Sequence, residues 1–220
     1  MEIIKGYIYV CAFMILVLSI STLVKIHLKV NNNIPRKIVH IGTAFSWFII
    51  YKYFGTTIHM LFVPTVILIV NLCSNRLNIF SKVPLLTNNR DKGTYLYPLS
   101  MLIMSIITII NPDYYIAYGV GLFSMALGDG FASIIGNSFK SKEFRIFGAK
   151  KTIYGCLTVF LFTSIAAYTF PMMAGQQINI AATCFIGVSG MFLEILGGRS
   201  LDNITLPLIV SFLAYLAMMI

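Results

Sequence analysis

The sequence predicts an all-α protein, a polytopic membrane bundle of about eight transmembrane helices. Three observations support this class: the composition, the lengths of the uncharged runs and the placement of the basic residues. Of the 220 residues, 58% are hydrophobic and only 10% are charged, which leaves too few polar groups to cover a soluble globule. One membrane span takes about 20 apolar residues. We therefore expect residues 1–220 to form a single integral membrane domain.

Largely uncharged runs of sequence set the predicted spans in order. They are residues 6–24, 38–51, 58–74, 94–110, 114–136, 153–171, 178–197 and 204–220. The first run is longer than the core of a signal peptide and has no clear small-residue cleavage site, so we expect it to be a retained span. The four cysteines lie singly, without the CxxC spacing of a zinc site, and are predicted to be buried free thiols.

The basic residues occupy alternate loops of this arrangement. Of the 16 Lys and Arg residues, all but Lys5 and Lys52 lie in the loops after spans one, three, five and seven. The positive-inside rule makes these loops cytoplasmic and places both termini on the non-cytoplasmic side. The formal net charge of +9 is thus a matter of membrane topology, and no nucleic-acid partner is expected. We expect a prokaryotic cell membrane protein with its site facing the cytoplasm.

Two polar clusters open the second and fourth spans. Arg36 and His40 are four residues apart, so in a helix they share a face with Lys37 close by. The cations alone are also typical of side chains that snorkel at a membrane edge, but His40 lies deeper, where a polar group needs a partner. Residues 90–95, with mixed charges, are interpreted either as a solvated turn or as a lip over a site.

The third cluster lies in the fifth span. Gly128, Ala132 and Gly136 recur every four residues, a pattern that permits close helix packing. Asp129 is harder to explain by packing, because an acid inside a span costs a few kcal/mol unless it is paired or faces water. We interpret Asp129 as a site residue.

A basic loop leads into the sixth span. Lys150, Lys151 and Thr152 lie where backbone N–H groups, a helix dipole and two ammonium groups could meet one anion. The sequence predicts that a triphosphate with its metal would suit this place.

The fourth cluster is formed by Glu194 near the end of span seven and by Asp202 and Asn203 before span eight. An Asp-Asn pair before a helix can also be only a cap. Five of the seven acids nevertheless fall on the same predicted face as most of the cations; they are Asp91, Asp129, Glu143, Glu194 and Asp202. Magnesium prefers oxygen ligands and a nucleotide needs cations, so this mixture favours phosphoryl transfer.

At these positions the chain resembles the polyprenol kinase family, the CTP-dependent membrane lipid kinases that include dolichol kinase, phytol kinase and the yeast-type diacylglycerol kinase. The family motif D-x-x-A-x-x-x-G is matched at 129–136, and K-K-T-x-E-G is matched at 150–155 apart from its Glu. Arg-Lys-x-x-His is matched at 36–40 and Asp-Asn-x-x-x-Pro at 202–207. Tyr154 stands where the family usually has Glu, which bears on any metal or ribose role of that position.

The resemblance implies that CTP donates its γ-phosphoryl group to the hydroxyl of a membrane lipid alcohol of the phytol, polyprenol or diacylglycerol type. The expected phosphate ligands are Arg36, Lys150 and Lys151, while Lys37 contacts phosphate or the lipid headgroup. The expected nucleotide site also includes Gly136, Thr152 and Asn203. The expected Mg²⁺ ligands are Asp129, Glu194 and Asp202.

Three alternatives stay open at this point. The general base is Asp129, Asp202 or His40. A CTP:phosphatidate cytidylyltransferase would also need CTP, metal and lysines, and would release pyrophosphate. A small membrane transporter would instead use Asp129 and Glu194 as ion or proton sites. The residues themselves do not distinguish cytosine from another base, and they leave the oligomeric state undefined.

Overall fold

The computed structural model of the protein describes residues 1–30, 33–77, 93–139, 141–198 and 200–220, without the side chains of 74–77 and 137. These residues form long helices and one small sheet. The helices are α1 (Glu2–Leu28), α2 (Asn33–Phe54), α3 (Phe62–Leu77), α4 (Gly93–Ile110), α5 (Tyr115–Ser138), α6 (Ile153–Met173), α7 (Ile180–Leu196) and α8 (Asp202–Met219). Strands β1 (Glu143–Ile146) and β2 (Ala149–Thr152) lie between α5 and α6, and short 3-10 helices, Ile58–Leu61 and Pro112–Tyr114, precede α3 and α5.

The predicted all-α membrane class is confirmed. Each predicted span has a helix at its place in the described part of the chain. Among these residues, five segments are long and apolar enough to cross a membrane: Glu2–Leu28, Gly93–Ile110, Pro112–Gly136, Ile153–Met173 and Asp202–Met219. The apolar helices Ile58–Cys73 and Ile180–Leu196 are shorter. The number of eight crossings and the side of the termini stay predictions.

The chain divides into two compact units, residues 1–105 and 106–220, so the expectation of a single domain also stays a prediction. In the first unit, α1 and α2 pack closely together. A Cβ at Gly42 would lie within 2.8 Å of Val17 Cγ2, so the missing side chain lets the two helices approach. The Ser21 hydroxyl donates to the Pro35 carbonyl oxygen across 2.7 Å and fastens α1 to the beginning of α2.

The second unit is built around α5, which packs against both α6 and α8. The predicted small-residue stripe of α5 faces α6: a Cβ at Gly128 would lie 3.4 Å from Val159, and one at Gly136 would overlap Thr152 Oγ1. Between these two glycines lies Ala132, and a Cβ at Gly155 of α6 would lie 3.2 Å from its backbone oxygen. The packing role that the four-residue spacing predicts is therefore confirmed.

The opposite end of the second unit is closed by hydroxyl and amide groups. Tyr114 and Ser211 share a hydrogen bond of 2.7 Å, and Asn111 Nδ2 donates to the Tyr215 hydroxyl at 2.7 Å. These bonds join the beginning of α5 to the later turns of α8. These bonds are separate from the polar groups near Gly136, which lie toward the other end of α5.

The hairpin of β1 and β2 was not expected from the sequence. The strands pair antiparallel, with Phe144 opposite Lys151 and Arg145 opposite Lys150. Phe147 and Gly148 both have positive φ, 48° and 76°, as two-residue hairpin turns of type I′ require. Asn-Gly is the usual signal for such a turn, and the Phe-Gly pair here lacks it.

Several helix ends differ from the prediction. Helix α2 begins at Asn33 rather than at 38, so Arg36 and Lys37 lie inside its first turns. Asp202 is not the cap of α8 but its first residue, after an N-cap at Leu201 that makes no side-chain cap bond. Residues 90–92 of the predicted lip lie outside the described residues.

The prediction of buried cysteines is wrong for three of the four. Cys156 is buried, while Cys11, Cys73 and Cys184 are exposed on their helices, and all four are free thiols. In a protein whose helices face hydrocarbon, an apolar side chain can lie at the surface without a cost in free energy. The burial habit of cysteine in soluble proteins therefore does not apply here.

Candidate active site

The candidate site lies where β2, the end of α7 and the beginning of α8 meet. The Lys151 ammonium contacts two carboxylates, Glu194 Oε1 at 2.5 Å and Asp202 Oδ2 at 2.9 Å. Both acids are buried, with exposed fractions of 4% for Glu194 and 5% for Asp202. One cation therefore bridges two acids from different helices inside the second unit.

The hairpin explains why Lys151 points inward and its neighbour does not. Successive side chains of a strand point to opposite faces, so Lys151 shares the inner face with Phe144 and the buried Ala149. Lys150 lies on the outer face, where its ammonium pairs with Glu143 at 2.6 Å and both side chains are more than half exposed. The sequence predicts that both ammonium groups meet one anion, but in the structure they have different partners.

The charge of Lys151 is held firmly by its surroundings. Burial by itself lowers the pKa of the ammonium, but the negative charges of Glu194 and Asp202 and their hydrogen bonds outweigh this effect. The pKa of Lys151 therefore lies above the ordinary lysine value, and the side chain is a cation at every physiological pH.

The two carboxylates differ in how fully they are hydrogen-bonded. Asp202 Oδ1 accepts from the backbone N–H and the side-chain Nδ2 of Asn203, both at 3.0 Å, and Oδ2 accepts from Lys151. Glu194 Oε1 accepts from Lys151, whereas the buried Oε2 atom has no hydrogen-bond partner among the described residues. Asn203 thus holds Asp202 in place, and Glu194 has acceptor capacity to spare.

A cavity of about 190 Å³ adjoins this cluster. Its polar wall includes Asp129, Lys151 and Glu194, and Gly136 and Gly155 border it as small residues. Asp129 is half-buried, and its negative charge repels the negative charges of Glu194 and Asp202. The cavity therefore combines acids and a fixed cation, a set of groups suited to a metal and phosphate oxygens.

Thr152 joins the cavity wall to the beginning of α6. It is the N-cap of this helix, and its Oγ1 accepts from the Gly155 backbone N–H at 3.1 Å. The hydroxyl occupies the space that a side chain at Gly136 would take. The positive end of the α6 dipole is therefore fixed beside the cavity.

Of the residues that the sequence predicts, Asp129, Gly136, Lys151, Thr152 and Glu194 border this cavity. Lys150 also borders it, and Asp202 and Asn203 belong to the ion-pair cluster beside it. These residues come from distant parts of the chain, so the fold brings together most of the predicted set.

The remaining predicted residues belong to the first unit. Arg36, Lys37 and His40 lie on α2, and the His40 ring packs on Tyr97 of α4 with ring centroids 3.8 Å apart. The Tyr97 hydroxyl donates to the His40 backbone oxygen at 3.3 Å. Their joining with Asp129 and Lys151 in one site stays a prediction.

The predicted metal ligands do not form a ready-made metal cage. Within the ranges that the structure describes, no group of three or more His, Cys, Asp or Glu side chains is arranged to hold an ion. Magnesium, however, is commonly bound by one or two carboxylates together with substrate phosphates. Glu194 and Asp202, with the open Glu194 Oε2 atom, fit that smaller set.

Sequence reasoning missed Cys156 and Ser133, which also border the cavity. Periodicity could have found Ser133, which is four residues after Asp129 on α5 and so lies one turn along a face that already carried a predicted residue. Cys156 lies in the first turn of α6, after the N-cap Thr152.

The fold and the site together define a class: a helical membrane protein with a buried acid-lysine cluster and a polar cavity at one end of a helix bundle. The sequence is 28% identical to a phytol kinase from Synechocystis sp. over 186 residues, which cover 80% of this chain and 75% of that protein. No family model and no solved structure matches the chain. The similarity indicates a distant relationship to lipid kinases.

Proposed function

We propose that the chain is a lipid kinase that transfers the γ-phosphoryl group of CTP to the hydroxyl of a membrane lipid alcohol. The observation that carries the proposal is the cavity where Asp129, Lys151 and Glu194 meet beside the beginning of α6. The similarity to a phytol kinase across most of both chains supports the same reaction class. The resemblance at 129–136 and 150–155 favours CTP as the donor.

The position of the cavity suits an acceptor that lives in the bilayer. It lies at the ends of α5 and α6, two segments long and apolar enough to cross a membrane. A lipid whose tail lies between helices would present its hydroxyl at that level, where a nucleotide from the aqueous phase can meet it. The proposed substrates thus approach the same cavity from the membrane and from water.

The phosphate groups need positive charge and N–H donors, since phosphoryl transfer depends mainly on positioning and charge neutralisation. Lys151 and the beginning of α6 at Thr152 supply both within the second unit. Lys150, at the border of the cavity, is the second cation. Arg36 and Lys37 remain part of the proposal as further ligands of the phosphates or of the lipid headgroup.

Glu194 and Asp202 are the proposed protein ligands of Mg²⁺, with Asp129 near them. When bound, Mg²⁺ would neutralise charge on the phosphate oxygens. Glu194 Oε2, which is buried without a hydrogen-bond partner among the residues that the structure describes, supports this assignment, because a buried acceptor without a donor is costly unless a ligand satisfies it.

Asp129 is the proposed general base. Both oxygens of Asp202 already accept hydrogen bonds, whereas Asp129 is half-buried and borders the cavity. The lipid hydroxyl oxygen forms the new bond to the γ-phosphorus as the bond to the β,γ-bridging oxygen breaks. The bridging oxygen keeps the electron pair and leaves with CDP, and the hydroxyl proton passes to Asp129.

The proposal is tested with purified protein in detergent, Mg²⁺, CTP labelled at the γ-phosphate, and phytol, a polyprenol and diacylglycerol in separate reactions. We expect a labelled lipid phosphate and CDP from at least one acceptor, with less product when ATP replaces CTP. Release of pyrophosphate would indicate a cytidylyltransferase instead. Nucleotide-independent uptake into liposomes, lost in Asp129→Asn, would indicate a transporter.

A further inference from the structure

We propose that the Lys151 ammonium occupies the binding position of a divalent cation and leaves this position when the nucleotide binds. This inference rests on the proposed function, because it takes the cavity to be the nucleotide site. The ammonium would leave Glu194 and Asp202 as the metal arrives, and would then contact a phosphate group in the adjoining cavity. Metal and nucleotide would therefore bind cooperatively rather than independently.

The first support is the position of the ammonium. Lys151 Nζ lies 2.5 Å from Glu194 Oε1 and 2.9 Å from Asp202 Oδ2, so it occupies the bridging position between two buried carboxylates from different helices. A cation that binds both acids has to take this position. The metal and the ammonium consequently exclude one another.

The second support is the hydrogen-bond acceptor capacity that Glu194 does not use. The residue is 4% exposed, it borders the cavity, and its Oε2 atom is buried without a hydrogen-bond partner in the described part of the chain. The Lys151 ammonium has three N–H donors, and none of them makes a hydrogen bond to this oxygen. A divalent ion bound by both Glu194 oxygens would satisfy it.

The third support is the short path that Lys151 has to take. Its side chain contacts the carboxylates and also borders the cavity, so rotation about side-chain bonds is enough to move the ammonium from the acids to a ligand in the cavity. Asp202 keeps its bonds from Asn203 during this change. The backbone of the hairpin therefore does not have to move.

The test is the affinity for Mn²⁺ alone, measured by electron paramagnetic resonance on purified protein without nucleotide. Lys151→Met should bind Mn²⁺ more tightly than the unchanged protein by about tenfold or more, since the competing ammonium is gone. Lys151→Arg, which keeps the charge, should bind as weakly as the unchanged protein. The double variant Lys151→Met with Glu194→Gln should lose the gained affinity.

Equal Mn²⁺ affinity in Lys151→Met and the unchanged protein would overturn the inference. If Lys151→Met does not fold, the unchanged protein decides: adding CTP should tighten Mn²⁺ binding by about tenfold beyond the Mn²⁺ that free CTP takes up. No such gain would also overturn it. These readouts need no turnover, so a protein that exchanges Lys151 for Mn²⁺ but transfers no phosphate would contradict the kinase assignment alone.

Discussion

Two adjacent lysines of β2 show how much the surroundings of a residue determine its role. Lys150 and Lys151 have the same chemistry and the same motif, but one pairs with Glu143 in solvent and the other is enclosed with Glu194 and Asp202. An exposed ion pair contributes about 0–1 kcal/mol, whereas removing one partner of a buried pair leaves an uncompensated charge. The two positions therefore make a matched pair for mutation.

Lys151→Met should destabilise the protein by about 3–5 kcal/mol, because Glu194 and Asp202 would stay buried without their cation. Lys150→Met should change the free energy of unfolding by less than about 1 kcal/mol. The midpoints of thermal unfolding in detergent measure both effects. Equal shifts for the two variants would show that the buried bridge does not hold the second unit together.

The sequence singles out acids and lysines of the second unit, but it does not predict how they pair. Asp129 and Glu194 are conspicuous because an acid within an apolar run needs a partner. The bridge from Lys151 to both acids depends on the inward face of β2, and a strand of four residues is too short for its alternation to be evident from the sequence. The residue types that border the cavity were predictable, and their contacts were not.

At the scale of elements, the approach of α5 to the beginning of α6 depends on Gly136. A methyl group there would overlap Thr152 Oγ1, whereas one at Gly128 would make an ordinary contact with Val159 at 3.4 Å. We expect Gly136→Ala to destabilise the protein by about 1–3 kcal/mol and to reduce phosphoryl transfer, and Gly128→Ala to be tolerated. Thermal unfolding and the labelled-CTP assay measure the two effects.

The double variant Gly136→Ala with Thr152→Ala separates crowding from other causes. Removing the Thr152 hydroxyl relieves the overlap, at the cost of about 1 kcal/mol for the lost helix cap. The double variant should therefore be more stable than Gly136→Ala alone. If it is less stable, close packing against Thr152 is not the reason for the glycine.

Helices and hairpin differ in how readily the sequence reveals them. Long uncharged runs define the helices because hydrocarbon tolerates few charges, although polar first turns such as residues 33–37 of α2 were missed. The hairpin residues 143–152 are a basic loop by composition, and Phe147 takes a positive φ without the Asn or Gly that usually signals such a turn. The ion pairs that join β2 to the other helices, from Lys151 to Glu194 and Asp202, are long-range contacts that this composition does not reveal.

At the scale of the whole molecule, the alternation of basic loops predicts opposite sides for the hairpin and for the connection between α6 and α7. Ser141→Cys and Gln176→Cys should therefore differ in labelling by a membrane-impermeant maleimide on intact cells. We expect label at position 176 and none at 141 until the cells are opened. The unchanged protein is the control, since its own cysteines lie within apolar helices.

Label at 141 on intact cells, with none at 176, would reverse the predicted topology and place the cavity on the side without cytoplasmic CTP. Composition and charge alone predicted the membrane class. They could not predict the division into residues 1–105 and 106–220, because apolar runs look alike whether they pack with one neighbour or with another.

In the reaction that we propose, a nucleotide gives its phosphoryl group to a lipid in the cavity beside Lys151. The most direct measurement compares transfer from labelled CTP by Asp129→Asn and Asp113→Asn, the same change near opposite ends of α5. Asp129→Asn should lower the rate by about 100-fold or more, and Asp113→Asn, far from the cavity, should keep it. If Asp129→Asn transfers phosphate at the rate of the unchanged protein, this cavity is not the site of phosphoryl transfer.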